Sequence, residues 1–422
     1  MSDHAHAGFA DRIRLTEALE RLRELVVAHD RTERVDLVDA DERVLAEPIA
    51  AGRDVPHYRR AAMDGFAVRA EDTFGAGDRS PAVLRRVDAR AGDDSGAHDD
   101  SEGPDGVELA PGEAVPVHTG SALPSGADAV VMVEHTETVG GEIEVFDAVP
   151  EGENVAPVGE DVEADQPLFD AGHRLRPSDL GLLKSTGVTE IRVREPPAVG
   201  VIPTGEELVQ VDPGPGQVIE TNGMTVAQLV ARWGGEPAYR DVATDDEEAL
   251  MAAIERDLDK DVVVTTGGSS VGERDLLPEV VDAMGEVVFH GVALRPGHPV
   301  AAGVVEGTPV LVLPGYPVST LVNAVQLLRP AVKWAGGMSL PDLPCVEARL
   351  ARKVRSEPGI RTFARVSVEE RDGECVATPT RTSGAGVLSS VALADGWVVV
   401  PESREGIPEG ETVAVEEWEW SA

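Results

Sequence analysis

Between residues 198 and 335, short apolar runs alternate with amphipathic ones, and no other feature of the sequence constrains the fold as tightly. Ala198 to Ile202, Ala238 to Val242, Asp261 to Thr265, Val287 to Phe289 and Pro309 to Leu313 read as strands. Thr225 to Trp233, Glu247 to Leu258, Leu276 to Met284 and Val318 to Trp334 read as helices. Two parallel strands cannot be joined by a tight turn and need a long crossover, usually a helix. Alternation at this spacing therefore predicts a largely parallel sheet with helices on both faces, an α/β/α sandwich. Thr244 followed by Glu247 predicts a capping box opening one of the helices.

The flanks have a different texture. Ile13, Leu15, Ala18, Leu19, Leu22, Leu25 and Val26 fall on one face of a helix within residues 11 to 28. From about Val55 to Pro150, short alternating runs are separated by Gly and Pro. Here Val130 to Val133, Gly140-Gly141 and Ile143 to Phe146 predict a hairpin in a small all-β domain. Gly92 to Gly106 is rich in Asp, Gly and Ser and reads as a solvated loop. Beyond Gly336-Gly337 the pattern returns to β, with Phe363 to Val368 and Cys375 to Thr378 flanking an Asp372-Gly373 turn. The expected architecture is multidomain α/β plus all-β. Small β domains at 54–149 and 338–422 flank the sandwich at 196–337, and 8–53 with 150–195 form a discontinuous fourth domain.

Charge narrows the partners. Lys and Arg total 37 against 77 Asp and Glu, a net charge of −40, so the basic footprint needed for nucleic acid is missing. Only Lys184, Lys260, Lys333 and Lys353 are lysines, and an acidic, lysine-poor composition suits a salt-adapted (halophilic) cytoplasmic protein whose self-repulsion is screened by concentrated cations. Cys345 and Cys375 cannot make a disulfide framework. No run approaches the roughly 18 apolar residues of a spanning helix, and Met1-Ser2-Asp3-His4 does not open a signal peptide, so neither membrane insertion nor export is expected.

In an open α/β sheet, ligands gather beyond the carboxyl ends of the strands. Three such exits carry unusual residues: Pro203-Thr204-Gly205-Glu206-Glu207, Thr266-Gly267-Gly268-Ser269-Ser270-Val271-Gly272-Glu273-Arg274-Asp275, and Pro314-Gly315-Tyr316-Pro317-Val318-Ser319. Glycines and hydroxyls before a helix suit a cradle for a phosphate-like anion. Singly, Gly267-Gly268 is equally a tight turn, Glu206 and Glu207 are equally solvated carboxylates, and Pro317 equally a helix start. Arg295-Pro296-Gly297-His298-Pro299 adds a cation and a titratable ring, or is a plain surface loop. The histidines show no metal-ligand spacing beyond His4 and His6, and there is no G-x-S-x-G elbow.

Taken together the motifs resemble the molybdopterin molybdenumtransferases of the MoeA/gephyrin E-domain family. The marks are Ala62-Met63-Asp64-Gly65-Phe66-Ala67-Val68, Thr119-Gly120 through Gly126-Ala127-Asp128, Gly152-Glu153-Asn154 with Gly159-Glu160-Asp161, Thr204-Gly205-Glu206-Glu207-Leu208, Asp261 through Gly272, and Pro314 through Ser319. The resemblance spans essentially the whole chain. It implies an elongated four-domain homodimer whose discontinuous domain serves as linker and dimerisation element and whose cleft the partner subunit completes. The implied reaction hydrolyses adenylylated molybdopterin with Mg²⁺ or another divalent cation and inserts molybdenum from molybdate. The resemblance makes Asp64, Thr119, Glu207 and Asp261 the polar site residues, with Glu207 and Asp261 as metal ligands. Gly267, Gly268, Ser269 and Ser270 would hold the pterin phosphate, with Thr204, Gly205, Asp275, Arg295, His298, Pro314, Gly315, Tyr316, Pro317 and Ser319 also binding the cofactor. Partners implied are molybdopterin adenylyltransferase and the enzymes that accept the cofactor.

Two departures stand out. His298 occupies a position where the family usually has lysine, and Tyr316 one where it usually has asparagine, which leaves molybdenum and tungsten both open as the metal inserted. Two other functions remain in competition at this stage: adenylyl transfer to the same pterin, because the α/β domain alone resembles that fold, and a non-enzymatic pterin-binding scaffold.

Overall fold

The computed structural model describes residues 12–88, 108–267, 276–381 and 386–419. The acidic stretch Gly92 to Gly106, His4, His6, and the site candidates Gly268, Ser269, Ser270 and Asp275 lie outside the described residues. The chain divides into two compact units. One comprises Arg34–Asp41 and Glu47–Arg192; the other comprises Met1–Glu33, Glu42–Ala46 and Val193–Ala422. The amphipathic run near the N-terminus becomes α1 (Leu15–Leu25), which buries Leu15, Ala18 and Leu22.

The first unit is built on a six-stranded sheet of β1 (Gly65–Val68), β2 (Ala82–Arg86), β3 (Glu113–Val117), β4 (Ala129–Met132), β5 (Thr136–Val139) and β6 (Glu142–Val145). Its order is β4-β1-β3-β2-β6-β5. Phe66, Val68 and Val131 face one core while Ala67, Val115 and Val130 face another. Burial on both faces explains why β1 and β4 are apolar at successive positions. The hairpin differs from the sequence expectation. Ile143 pairs with Thr138 across Gly140 (φ +61°) and Gly141 (φ +94°), whereas Val130 and Val131 pair with β1. Two successive positive-φ residues make the tight turn, which fixes the partner as the segment immediately before it. Helix α2 (Pro177–Ser185) opens with Asp179, whose carboxylate accepts from the Arg176 backbone and guanidinium and bonds His173. These partners hold its pKa down to about 2, against the cost of burial.

The second unit contains the central sheet: β7 (Ala198–Pro203), β8 (Glu236–Tyr239), β9 (Val262–Thr266), β10 (Glu286–His290), β11 (Ala301–Val305) and β12 (Thr308–Leu313), in the order β8-β7-β9-β12-β11-β10. β8, β7, β9 and β12 run parallel, and β11 is antiparallel to both β12 and β10. Strand β11 went unread in the sequence, because Ala301, Ala302 and Gly303 are poor strand formers. Its glycine is needed for space, since a Cβ on Gly303 would lie 2.4 Å from the Glu286 carbonyl oxygen.

Helices α3 (Asn222–Arg232), α4 (Glu247–Glu255), α5 (Leu276–Met284), α6 (Pro317–Asn323) and α7 (Arg329–Ala335) cover the sheet. α1, α3, α6 and α7 contribute to the core on one face, α4 and α5 to that on the other. Two local expectations are corrected. Asp246, not Thr244, caps α4: its carboxylate accepts from the Ala249 N–H at 2.9 Å, and Thr244 donates to it at 2.6 Å. Val318 to Trp334 is not one continuous α-helix, because Ala324–Leu328 forms a π-turn ahead of Pro330, whose missing N–H cannot continue the α ladder.

Beyond the sheet, β13 (Cys345–Leu350), β14 (Arg361–Arg371), β15 (Glu374–Arg381), β16 (Gly396–Val400) and β17 (Thr412–Glu416) pair in a closed ring, β14-β15-β13-β17-β16-β14. Asp372 (φ +52°) and Gly373 (φ +81°) form the turn between β14 and β15. Trp397 stacks on Trp418 and meets Phe363 edge to face, and the three join the core that α3 and α6 line. The ring and the short helix α8 (Ser389–Ala392) thus pack on one face of the central sheet.

Candidate active site

The carboxyl ends of β7, β9 and β12 converge. Thr204 N–H donates to the Thr266 carbonyl at 3.1 Å, and Gly267 N–H donates to the Leu313 carbonyl at 3.1 Å. A Cβ on Gly267 (φ +128°) would stand 2.1 Å from the Thr204 carbonyl oxygen, and one on Gly315 would stand 3.4 Å from the Gly267 Cα. Glycine at 267 is therefore required both by conformation and by the close approach of two backbones.

Around this point the hydroxyls of Thr204, Thr265 and Thr266 are buried with no hydrogen-bond partner among the described residues, and these residues are at most 2% exposed. A buried hydroxyl without a partner costs about 1–3 kcal/mol, and Thr204 and Thr266 carry two of them at the ends of adjacent strands.

Carboxylates stand beside this point. Glu206 and Glu207 are exposed at the exit of β7. Burial, and then the Glu207 and Glu206 charges, push the Asp245 carboxyl above the usual carboxylate range, opposed by a backbone hydrogen bond from Glu206. One Asp245 oxygen is buried and has no partner among the described residues. Among the described residues no three His, Cys, Asp or Glu side chains form a closed metal-binding set.

Asp261 does not belong to this edge, which corrects the sequence expectation. It precedes β9 and so lies at the amino end of the parallel strands, a full strand length from Gly267. There it accepts from the Ala198 N–H at 2.7 Å and from both terminal nitrogens of Arg31 at 2.6 and 3.0 Å. Its bonding is complete without a metal, because Arg31, paired also with Glu195, supplies the positive charge.

The third loop is ordered by residues that the sequence reading missed. Asn222, the first residue of α3, donates to the Gly315 carbonyl at 2.7 Å and so bridges two strand exits. Its helix start is held by Glu220, which is 4% exposed and accepts from the Gly223 N–H at 2.6 Å and from the Tyr239 hydroxyl. Burial first, and then this bond, push the Tyr239 phenol up. The signal available was Glu220-Thr221-Asn222-Gly223 itself, a run of capping residues at a helix start. Thr320 donates to the Pro314 and Tyr316 carbonyls at 2.5 and 3.1 Å, Ser319 is buried, Pro317 opens α6, and Tyr316 is 61% exposed.

Arg295 and His298 lie between β10 and β11, at the same carboxyl edge of the sheet. Buried Asn323 fastens this loop to α6 by donating to the Gly297 and Ser319 carbonyls, each at 2.9 Å. Arg295 pairs with Glu357 at 3.0 Å, so its charge is shared with the C-terminal ring. Burial, then Arg12 and Arg295, lower the pKa of His298 and favour the neutral ring.

Asp64 and Thr119 belong to the other unit, in the loops bordering β1 and β3. Asp64 accepts from the Thr119 N–H at 2.6 Å and from its hydroxyl at 2.9 Å, which lowers its pKa, the backbone bond first. A Cβ on Gly65 would lie 2.0 Å from the Val131 carbonyl oxygen, so only glycine fits where β1 begins against β4, next to the exposed Asp64.

Fold and edge together define a multidomain protein whose α/β domain gathers glycine-bearing strand exits on one edge of its sheet. Comparison with known families agrees. The MoeA N-terminal region (domains I and II) matches residues 13–187, a probable molybdopterin-binding domain matches 200–334, and the MoeA C-terminal region (domain IV) matches 347–418. A Methanocaldococcus jannaschii protein provisionally placed in molybdopterin biosynthesis is 35% identical, with 94% of each chain covered. The molybdopterin molybdenumtransferase of Bacillus subtilis is 32% identical, with 92% of each covered. The crystal structure of a Pyrococcus horikoshii molybdopterin biosynthesis MoeA protein superposes with a TM-score of 0.80 at 31% identity, covering 96% of this chain and 99% of its own. The chain belongs to the MoeA family.

Proposed function

We propose that this protein is a molybdopterin molybdenumtransferase of molybdenum cofactor biosynthesis. It takes adenylylated molybdopterin and molybdate or tungstate, releases AMP, and leaves the metal in the dithiolene. The observation that carries this reading is the pair of unpartnered hydroxyls, Thr204 and Thr266, around the Gly267 backbone approach in a MoeA-family chain.

Cleaving a phosphoanhydride requires donors for the developing charge, and these hydroxyls with the strand-exit backbone supply them. Asn222 keeps the Gly315 loop in register with α3. Mg²⁺ is held by one or two carboxylates together with substrate phosphates, which Glu207 and Asp245 fit; the raised Asp245 carboxyl and its unpartnered oxygen are what such a cation relieves. When bound, the cation neutralises phosphate charge. Gly268, Ser269, Ser270 and Asp275 extend the anion cradle in this reading, and Asp64 and Thr119 serve the same reaction on the strength of the family resemblance.

The same reading makes the protein an elongated cytoplasmic homodimer of four domains (8–53 with 150–195, 54–149, 196–337, 338–422). Salt adaptation follows from its net charge of −40. No helix among the described residues is long and apolar enough to cross a membrane.

The deciding experiment incubates the pure protein at high salt with adenylylated molybdopterin, Mg²⁺ and either molybdate or tungstate, following AMP release beside a Glu207→Gln control. The expected result is oxyanion-dependent AMP release, reduced at least a hundredfold in the control. ATP-dependent adenylylation of molybdopterin, or tight pterin binding without AMP release, overturns the proposal.

A further inference from the structure

Between β7 and α3 the chain makes an excursion in which Leu208–Val209 pairs in parallel with Val218–Ile219. At its base the Glu207 carbonyl accepts from the Val218 N–H, and the Val209 carbonyl accepts from the Glu220 N–H, each at 2.8 Å. The Glu207 carboxylate folds back over the β7 exit, so that a Cβ on Gly205 would lie 3.0 Å from one of its oxygens. Where that carboxylate stands therefore depends on how the excursion is held at Glu220.

Glu220 closes the excursion with its backbone and opens α3 with its side chain. Its carboxylate accepts from the Gly223 and Met224 N–H groups at 2.6 and 3.4 Å and from the Tyr239 hydroxyl. The two N–H groups belong to the same local turn and move with it, whereas Tyr239 stands on β8 and brings in the sheet. At 4% exposure Glu220 has little water to replace a lost donor. The Tyr239 ring also backs the helix start, since a Cβ on Gly223 would lie 2.9 Å from its Cε2. Gln210, within the excursion, donates to the same hydroxyl at 3.5 Å. Beside Gly223, Asn222 reaches the Gly315 carbonyl. One phenol thus fastens both the segment that carries Glu207 and the helix start that holds the Gly315 loop.

We propose that Tyr239 is a positioning residue for the reaction: through Glu220 it sets the Glu207 carboxylate at the β7 exit, and through Asn222 it sets the Gly315 loop at the β12 exit. This rests on the reading that Glu207 holds a divalent cation on the substrate phosphates. Tyr239 acts through these neighbours, in the way that partners behind a metal ligand orient it, and loss of such a partner typically costs about 10–100-fold in metal affinity.

The test measures Mn²⁺ binding by electron paramagnetic resonance, with AMP present, to wild type, Tyr239→Phe and Glu220→Gln, beside thermal unfolding and AMP release from the adenylylated substrate. The expected result is a Mn²⁺ Kd raised at least about fivefold and a kcat lowered at least about fivefold in both variants, with the Tyr239→Phe unfolding midpoint down by less than about 4 °C. A bond that only stabilised the fold would lower the midpoint and leave the Mn²⁺ Kd of the folded protein unchanged. No Mn²⁺ binding by wild type, or a smaller rise in Kd in either variant, overturns the proposal. If both variants weaken Mn²⁺ as expected but wild type releases no AMP, the positioning role stands and the transferase reading falls.

Discussion

The two ends of the central sheet handle polar groups in opposite ways. At the amino end, Asp261 is fully bonded by Arg31 and the Ala198 N–H. At the carboxyl end, Thr204 and Thr266 are buried with hydroxyls unpartnered, and Asp245 is raised by burial and by facing carboxylates. A carboxylate whose bonding is complete stabilises the fold, while polar groups left incomplete at a strand exit are a cost to it. Residue type alone does not separate the two cases.

The sharpest way to break this comparison is Gly267→Ala. The added methyl meets a backbone carbonyl at 2.1 Å in a conformation that disfavours side chains. Urea unfolding should show a loss of about 3 kcal/mol or more; a loss below about 1 kcal/mol would mean that the strand exits are not held as described.

The next two substitutions form a matched pair. Asp261→Asn should cost about 1–2 kcal/mol of stability, because it weakens a charge-assisted bond to a half-exposed arginine, and should leave the KM for the adenylylated substrate unchanged. Thr204→Val should do the reverse: stability unchanged or raised by up to about 1 kcal/mol, with KM raised about tenfold. If both variants change the same quantity, the contrast between the two ends fails.

His298→Lys should be milder. A histidine with a lowered pKa is neutral at pH 7, so wild-type anion affinity should be flat from pH 7 to 8 and rise only on acidification below its usual value of about 6.5. The lysine variant should bind molybdate about fivefold more tightly at pH 7–8, the equivalent of roughly 1 kcal/mol. Identical affinities across that range would remove His298 from the site.

The smallest effect concerns the other unit. Asp179 is held at about 2, so its contribution to stability is present above the ordinary carboxylate value near 3.8 and lost as pH falls through about 2. Asp179→Asn should flatten the acid limb of an unfolding curve between those values; an unchanged limb would show that His173 and Arg176 do not stabilise the carboxylate.

Much of this was legible in the chain. The alternation from 198 to 335 located the strands β7, β9 and β12 and the helix α5, because a half-buried helix and a fully buried strand leave different periods in the sequence. The Asp372-Gly373 turn was legible for a similarly local reason, since few residues adopt the left-handed backbone it needs. The three glycine-rich exits were legible as one edge, because strand direction in an alternating α/β segment places every second connection on the same side.

Several of the failures share one cause, which is partner choice. Val130 to Val133 has strand character, but only the folded sheet decides that it pairs with β1 and not across Gly140-Gly141. Asp261 and Glu207 are both acidic residues beside a strand, and only the strand's direction and the position of Arg31 separate a structural ion pair from an exposed carboxylate at the opposite edge. Asn222 and Asp245 earned no notice in the sequence, since their roles come from Gly315 and Glu207, residues distant along the chain. Local backbone preference and the period of burial are properties of a segment and can be read from it. Which polar groups find partners, and which are left without one, depends on contacts between segments that only the tertiary structure brings together.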